Sequence, residues 1–121
     1  MQQVGSLQRV NMDRLHQVSL DDDEFLLELL ETYLEDAEQQ REGLAAAANE
    51  EDAQLLAERA HRIKGGASNL GAESLAQLCG ELERSAKMGQ TPSALSHAVQ
   101  SEMALVAERL HEVAGALAAQ R

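Results

Sequence analysis

Residues 60–71 read Ala-His-Arg-Ile-Lys-Gly-Gly-Ala-Ser-Asn-Leu-Gly and place His61, Lys64 and Gly65 at positions i, i+3 and i+4. Residues three and four apart share one face of a helix. A free imidazole titrates at about 6.5, so near neutral pH it is largely uncharged and nucleophilic. A lysine one turn on can pair with an anionic group such as a phosphoryl oxygen. A mid-helix glycine costs about 1 kcal/mol relative to alanine. Beside a histidine it clears room for another macromolecule to close over the ring. The chemistry implied is nucleophilic: an imidazole that accepts and gives up a charged group.

That chemistry needs His61 on a surface, and the flanking pattern decides whether it is. The chain has 121 residues, 44% hydrophobic but only 2% aromatic, with one proline. Ala, Leu, Glu and Gln dominate, which favours helices over strands, so the fold class expected is all-α. Residues 1–10 show no clear period and read as a loose, flexible N-terminus, followed by a single domain over 11–121. Asn11 or Asp13 caps a short helix to Val18. The next helix spans 21–48, capped by Ser19 or Asp21, with Leu26, Leu29, Leu30, Tyr33, Ala37, Leu44 and Ala48 at helical spacing. The third spans 51–70 and ends at Gly71, placed as a C′ glycine. The fourth runs 72–88, with Leu75, Leu78, Cys79, Leu82 and Ala86 on one face, and stops at Gly89. Thr91-Pro92 reads as an N-cap followed by a proline at the first helical position. The fifth runs to Ala118 on a stripe of Leu95, Ala98, Val99, Val106, Leu110, Val113 and Leu117. Glu102 falls on that stripe, where the bundle is expected to open to water.

Short connections make successive helices antiparallel. The expected architecture is an up-down four-helix bundle with the short N-terminal helix laid across one end. At 100° per residue the apolar stripe of the third helix is Leu56, Ala60, Ile63, Ala67 and Leu70, and His61 lies roughly 140° from its centre. The imidazole therefore leaves the core. Ala57, Lys64, Gly65 and Ser68 share its side of the helix.

Charge bounds the partners. The net charge of −11 argues against nucleic acid and anionic membranes. Asp21 to Asp52 hold 13 acids and one base, whereas Ala53 to Gln90 hold four acids and five bases. The histidine stretch is thus a non-acidic region of an acidic molecule. A single cysteine, Cys79, forms no internal disulfide, and with no apolar run of transmembrane length a cytoplasmic protein is expected. The other histidines, His16, His97 and His111, read as ordinary surface residues. The glycines at 65, 66 and 71 lack the G-K-[ST] ending of a phosphate-binding loop. Glu58 and His61 form an E-x-x-H pair, but they lie off the apolar stripe, whereas a metal-carrying bundle needs inward-facing ligands, so no metal is expected.

His61-Arg62-Ile63-Lys64-Gly65, followed by Ser68, Gly71, Leu75, Leu78 and Leu82-Glu83, resembles the histidine-containing phosphotransfer (HPt) domain over nearly the whole chain. The resemblance implies that His61 is phosphorylated, Lys64 assists the phosphoryl group and Gly65 gives access. It further places Glu83 and Lys87 near the histidine, facing the partner together with Ala57 and Ser68. An ionised glutamate is acceptor-only, which argues against a direct hydrogen bond from Glu83 to the imidazole or the phosphoryl group. The implied partners are response-regulator receiver domains and a hybrid sensor kinase. The receiver supplies Mg²⁺, and this protein needs no cofactor of its own, has no autokinase activity and acts as a monomer. The alternative is a non-catalytic HPt-like bundle that serves as an interaction scaffold.

Overall fold

The computed structural model describes residues 9–120, which form helices α1 (Met12–Val18), α2 (Asp23–Asn49), α3 (Ala53–Asn69), α4 (Glu73–Lys87) and α5 (Ser93–Ala119). Each of α2 to α5 packs on the next, and α2 packs on α5 to close an antiparallel four-helix bundle. The helices are unequal: α2 and α5 have 27 residues each, α3 has 17 and α4 has 15. At 1.5 Å per residue, the long pair projects about 15 Å past the α3–α4 turn. The short helix α1 occupies that step, against α2 and α3, with Leu15 fully buried.

The ends of α2, α3 and α4 share a device that α1 also uses at Leu20 (φ 57°), where the Asp21 N–H bonds the His16 carbonyl at 2.9 Å. The amide after the left-handed residue bonds back to a carbonyl five residues earlier: Asp52 to Ala47 at 3.0 Å, Ala72 to Ala67 at 2.9 Å and Gln90 to Ser85 at 3.0 Å. This Schellman closure satisfies the last carbonyls of α2, α3 and α4. Gly71 (φ 68°) and Gly89 (φ 85°) supply the left-handed residue at two of them, as their positions imply, whereas Glu51 (φ 56°) does so at the third. Gly71 has a second task. Asn11 donates its backbone N–H to the Leu70 carbonyl at 3.3 Å. A Cβ on Gly71 would collide with the Cβ of Asn11 and lie 3.0 Å from its nitrogen. The glycine is therefore both the stop of α3 and the seat of the segment that starts α1.

The expected core stripe of α3 is buried at every position. Elsewhere the pattern shifts. On α2, Leu27 and Ala47 are buried while Leu29, Tyr33 and Ala48 are half-buried, because this helix contacts α1, α3 and α5 and so is covered over more than one stripe. Asp22, not Ser19 or Asp21, caps α2, accepting from the Phe25 amide at 3.1 Å. Asp52 caps α3, which begins at Ala53. Pro92 occupies the N-cap of α5, displacing Thr91 from that role. Glu102 does not open to water: its side chain is 12% exposed and lies 3.4 Å from Arg9 Nε. Of the expected loose N-terminus, residues 1–8 lie outside the described residues. Arg9 is held by that ion pair, and Val10 is buried in the core.

Candidate functional site

His61 stands on the outer side of α3, and its side chain is 69% exposed. Facing it from α4 is Glu83, whose side chain is only 8% exposed. Glu83 borders the buried stripe of Cys79, Leu82 and Ala86, so its carboxylate is drawn under the surface. A carboxylate there must be compensated. The compensation comes from three cationic or N–H donors. His61 Nδ1 lies 3.0 Å from Oε2, Lys64 Nζ 3.0 Å from Oε1 and Lys87 Nζ 3.1 Å from Oε2. Burial alone would push the Glu83 carboxyl up. The hydrogen bonds from Lys64 and Lys87 and their positive charges outweigh that and bring it to about 2.

An ionised carboxylate only accepts hydrogen bonds, so the His61 nitrogen facing it carries the proton. In the neutral imidazole the lone pair is then on Nε2. The expectation that an acceptor-only glutamate would not bond the ring is thus overturned: the ring donates. Being acceptor-only is what lets Glu83 select the tautomer.

The remaining residues singled out by sequence fall into two groups. Ala57, Glu83 and Lys87 line, with Glu58, His61 and Arg62, an open hollow of about 440 Å³. Ala57 and Glu83 are themselves buried and present little surface to a partner, while Lys87 is 67% exposed. Ser68 is exposed on the same helix but is not part of that lining. Gly65 is exposed, and a Cβ added there would meet nothing among the described residues within 4 Å. Its small size therefore answers no packing need among the described residues. Gly66 differs, since a Cβ there would lie 3.6 Å from the Tyr33 ring.

Lys64 is placed beside the imidazole as its spacing requires; its ammonium pairs with Glu83, and its side chain is 38% exposed. Sequence reasoning weighted Glu83 too lightly. The available signal was an acid on the border of the α4 stripe with a lysine at i+4. Cys79, one turn before Glu83, is fully buried, and burial pushes its thiol up to about 12, so it is an inert part of the floor. Among the described residues no group of three or more His, Cys, Asp or Glu side chains is arranged to hold a metal ion. No helix among them is long and apolar enough to cross a membrane.

Fold and site together define an all-helical protein that presents one oriented, exposed imidazole, the class of histidine phosphotransfer proteins. A family model for the Hpt domain matches residues 28–120, and the chain belongs to that family. It is similar to histidine-containing phosphotransfer protein B from Pseudomonas aeruginosa PAO1, at 33% identity over 90% of this chain and 96% of that one, with a TM-score of 0.82. It also shares its fold with the HPT domain of a sensor hybrid histidine kinase from Shewanella, at 18% identity over 87% of this chain and 92% of that one, TM-score 0.75. A search of curated proteins finds no match. The chain is a histidine phosphotransfer protein of the phosphorelay type.

Proposed function

We propose that His61 is the residue that carries the phosphoryl group, taking it from an aspartyl phosphate of one receiver domain and passing it to the aspartate of another. The observation that carries this assignment is the 3.0 Å contact between His61 Nδ1 and the buried, ionised Glu83. Nε2 of the neutral ring attacks phosphorus, a P–N bond forms, and the P–O bond to the donor aspartate breaks to release its carboxylate. The phosphorylated ring is cationic as formed, and Glu83 at Nδ1 stabilises that charge. The reverse sequence delivers the group to the next receiver. Phosphoryl transfer runs through a loose, in-line transition state, so placement and charge neutralisation do most of the catalytic work.

Lys64 and Lys87 each have N–H groups beyond the one that meets Glu83. One turn from the ring and across from it, they are placed to turn a free N–H toward a phosphoryl oxygen. Gly65 leaves the approach open for the receiver's own active site, which brings the aspartate and Mg²⁺. The protein supplies no cofactor, works as a monomer in the cytoplasm, and draws on a hybrid sensor kinase upstream. The test is incubation with a phosphorylated receiver and Mg²⁺, scoring acid-labile, base-stable label. His61→Gln is expected to abolish labelling while leaving the helical circular dichroism intact. Binding of receivers with no label in the wild type would replace this proposal with a scaffold role.

A further inference from the structure

Most cations of this acidic chain are matched to an acceptor. Arg9 pairs with Glu102, Arg41 with Glu38, Arg109 with Glu112, and Lys64 and Lys87 with Glu83, while Arg14 bonds Gln17. Arg59, Arg62 and Arg84 are exceptions: among the described residues none of these side chains has a hydrogen bond or an acid within 4.0 Å, and Arg59 and Arg62 stand together on α3. With about twice as many acids as bases in the chain, two adjacent unmatched arginines are not explained by a shortage of carboxylates. Arg59 is also held in place. Its guanidinium lies against α2 at Gly43, where a Cβ would come within 3.1 Å of Cζ. Its Nε is buried and has no partner. The mid-helix glycine of α2 thus has a purpose, which is to let this side chain lie flat on the helix.

Both arginines line a hollow of about 240 Å³ with Leu55 and Glu58. Arg62 and Glu58 also line the hollow around His61, so the two depressions adjoin along α3. Glu58 lies one turn before Arg62, yet its carboxylate reaches neither arginine within 4.0 Å. A guanidinium fork matches a carboxylate in shape and charge.

We infer that the Arg59–Arg62 hollow is a docking subsite for a carboxylate side chain on the receiver domain that engages His61, and that it sets which receivers the protein serves. This rests on the assignment of His61 as the phosphoryl carrier. The subsite lies beside the chemistry and makes no contact with the transferred group. It therefore acts on encounter and affinity, with the salt dependence expected of a charged pair at the rim of an interface.

The experiment measures transfer from the phosphorylated wild-type protein, Arg62→Glu and Arg59→Gln to a receiver that the wild type serves, as receiver concentration and salt are varied. Arg62→Glu is expected to raise KM about tenfold at low salt, with the loss shrinking to under about threefold at 0.5 M salt. Arg59→Gln, checked for helicity because Arg59 packs on α2, is expected to move KM in the same direction. Replacing the receiver's surface Asp and Glu residues one at a time by Lys is expected to yield one variant that restores transfer from Arg62→Glu. A KM for Arg62→Glu equal to wild type at all salt concentrations overturns the subsite, as does a loss confined to kcat or the lack of any rescuing receiver. If the wild type takes no phosphoryl group from any receiver or from phosphoramidate, the His61 assignment itself falls, and the subsite with it.

Discussion

Glu83→Ala tests the arrangement around the imidazole most sharply. The change removes the acceptor for His61 Nδ1, Lys64 Nζ and Lys87 Nζ at once. A hydrogen bond to a charged group is worth about 1.5–3 kcal/mol where water is excluded. His61 is 69% exposed, so water competes and the net value falls toward the ~1 kcal/mol of an exposed charged pair. Lost from the preference for the reactive tautomer and orientation, ~1 kcal/mol slows phosphorylation about fivefold. The cost to folding is small for the same reason. All three donors reach solvent, and the variant no longer buries a carboxylate, so the expected destabilisation is about 1 kcal/mol or less. The assay pairs initial rates of labelling from a phosphorylated receiver with ³¹P NMR of the product. The wild type is expected to carry the group at Nε2, and Glu83→Ala to react about fivefold more slowly with part of the label at Nδ1. Equal rates and identical regiochemistry would refute the claim that Glu83 sets the tautomer.

Three further outcomes are expected. Glu83 titrates at about 2 in the folded protein against an ordinary 4.5; a lowered pKa gives stability that is complete above about pH 4.5 and is lost as pH falls through about 2. The stability difference between wild type and Glu83→Gln, followed by urea unfolding, should therefore shrink across that window, and a constant difference would contradict the ion network. A Cβ at Gly65 meets no atom of the described residues within 4 Å, so Gly65→Gln should raise stability by about 0.5–1 kcal/mol through helix propensity while slowing transfer; an unchanged transfer rate would remove the access role. Gly71→Ala combines a left-handed backbone with a collision at Asn11 and should cost about 2–4 kcal/mol, read as a lower urea midpoint at constant slope, whereas a loss under about 0.5 kcal/mol would mean that α1 is free to move away.

What could be read from the sequence divides along the range of the interactions. The stripe of Leu56, Ala60, Ile63, Ala67 and Leu70 is a local period, and it placed His61 outside the core because helix phase alone decides that. Gly71 and Gly89 were legible as stops because the left-handed residue is part of the helix end itself. Glu83 was not legible in the same way. Its burial depends on donors that α3 brings from 19 and 22 positions away, and within α4 it reads as one more surface acid. Glu102 was misread for a similar reason, since its partner Arg9 comes from a segment with no periodic signal. The caps at Asp22 and Asp52 each lie within a run of acids, where any of several residues satisfies the capping rule and only the path of the chain selects one. Arg59 combined both difficulties: its seat is Gly43 on another helix, which by itself reads only as a weak point.

The most direct test of the account is the position of the phosphoryl group. Protein labelled from a phosphorylated receiver, kept at neutral to alkaline pH and mapped by tandem mass spectrometry, is predicted to carry the group on His61 alone. Label on His16, His97 or His111, with His61 unmodified, would contradict it.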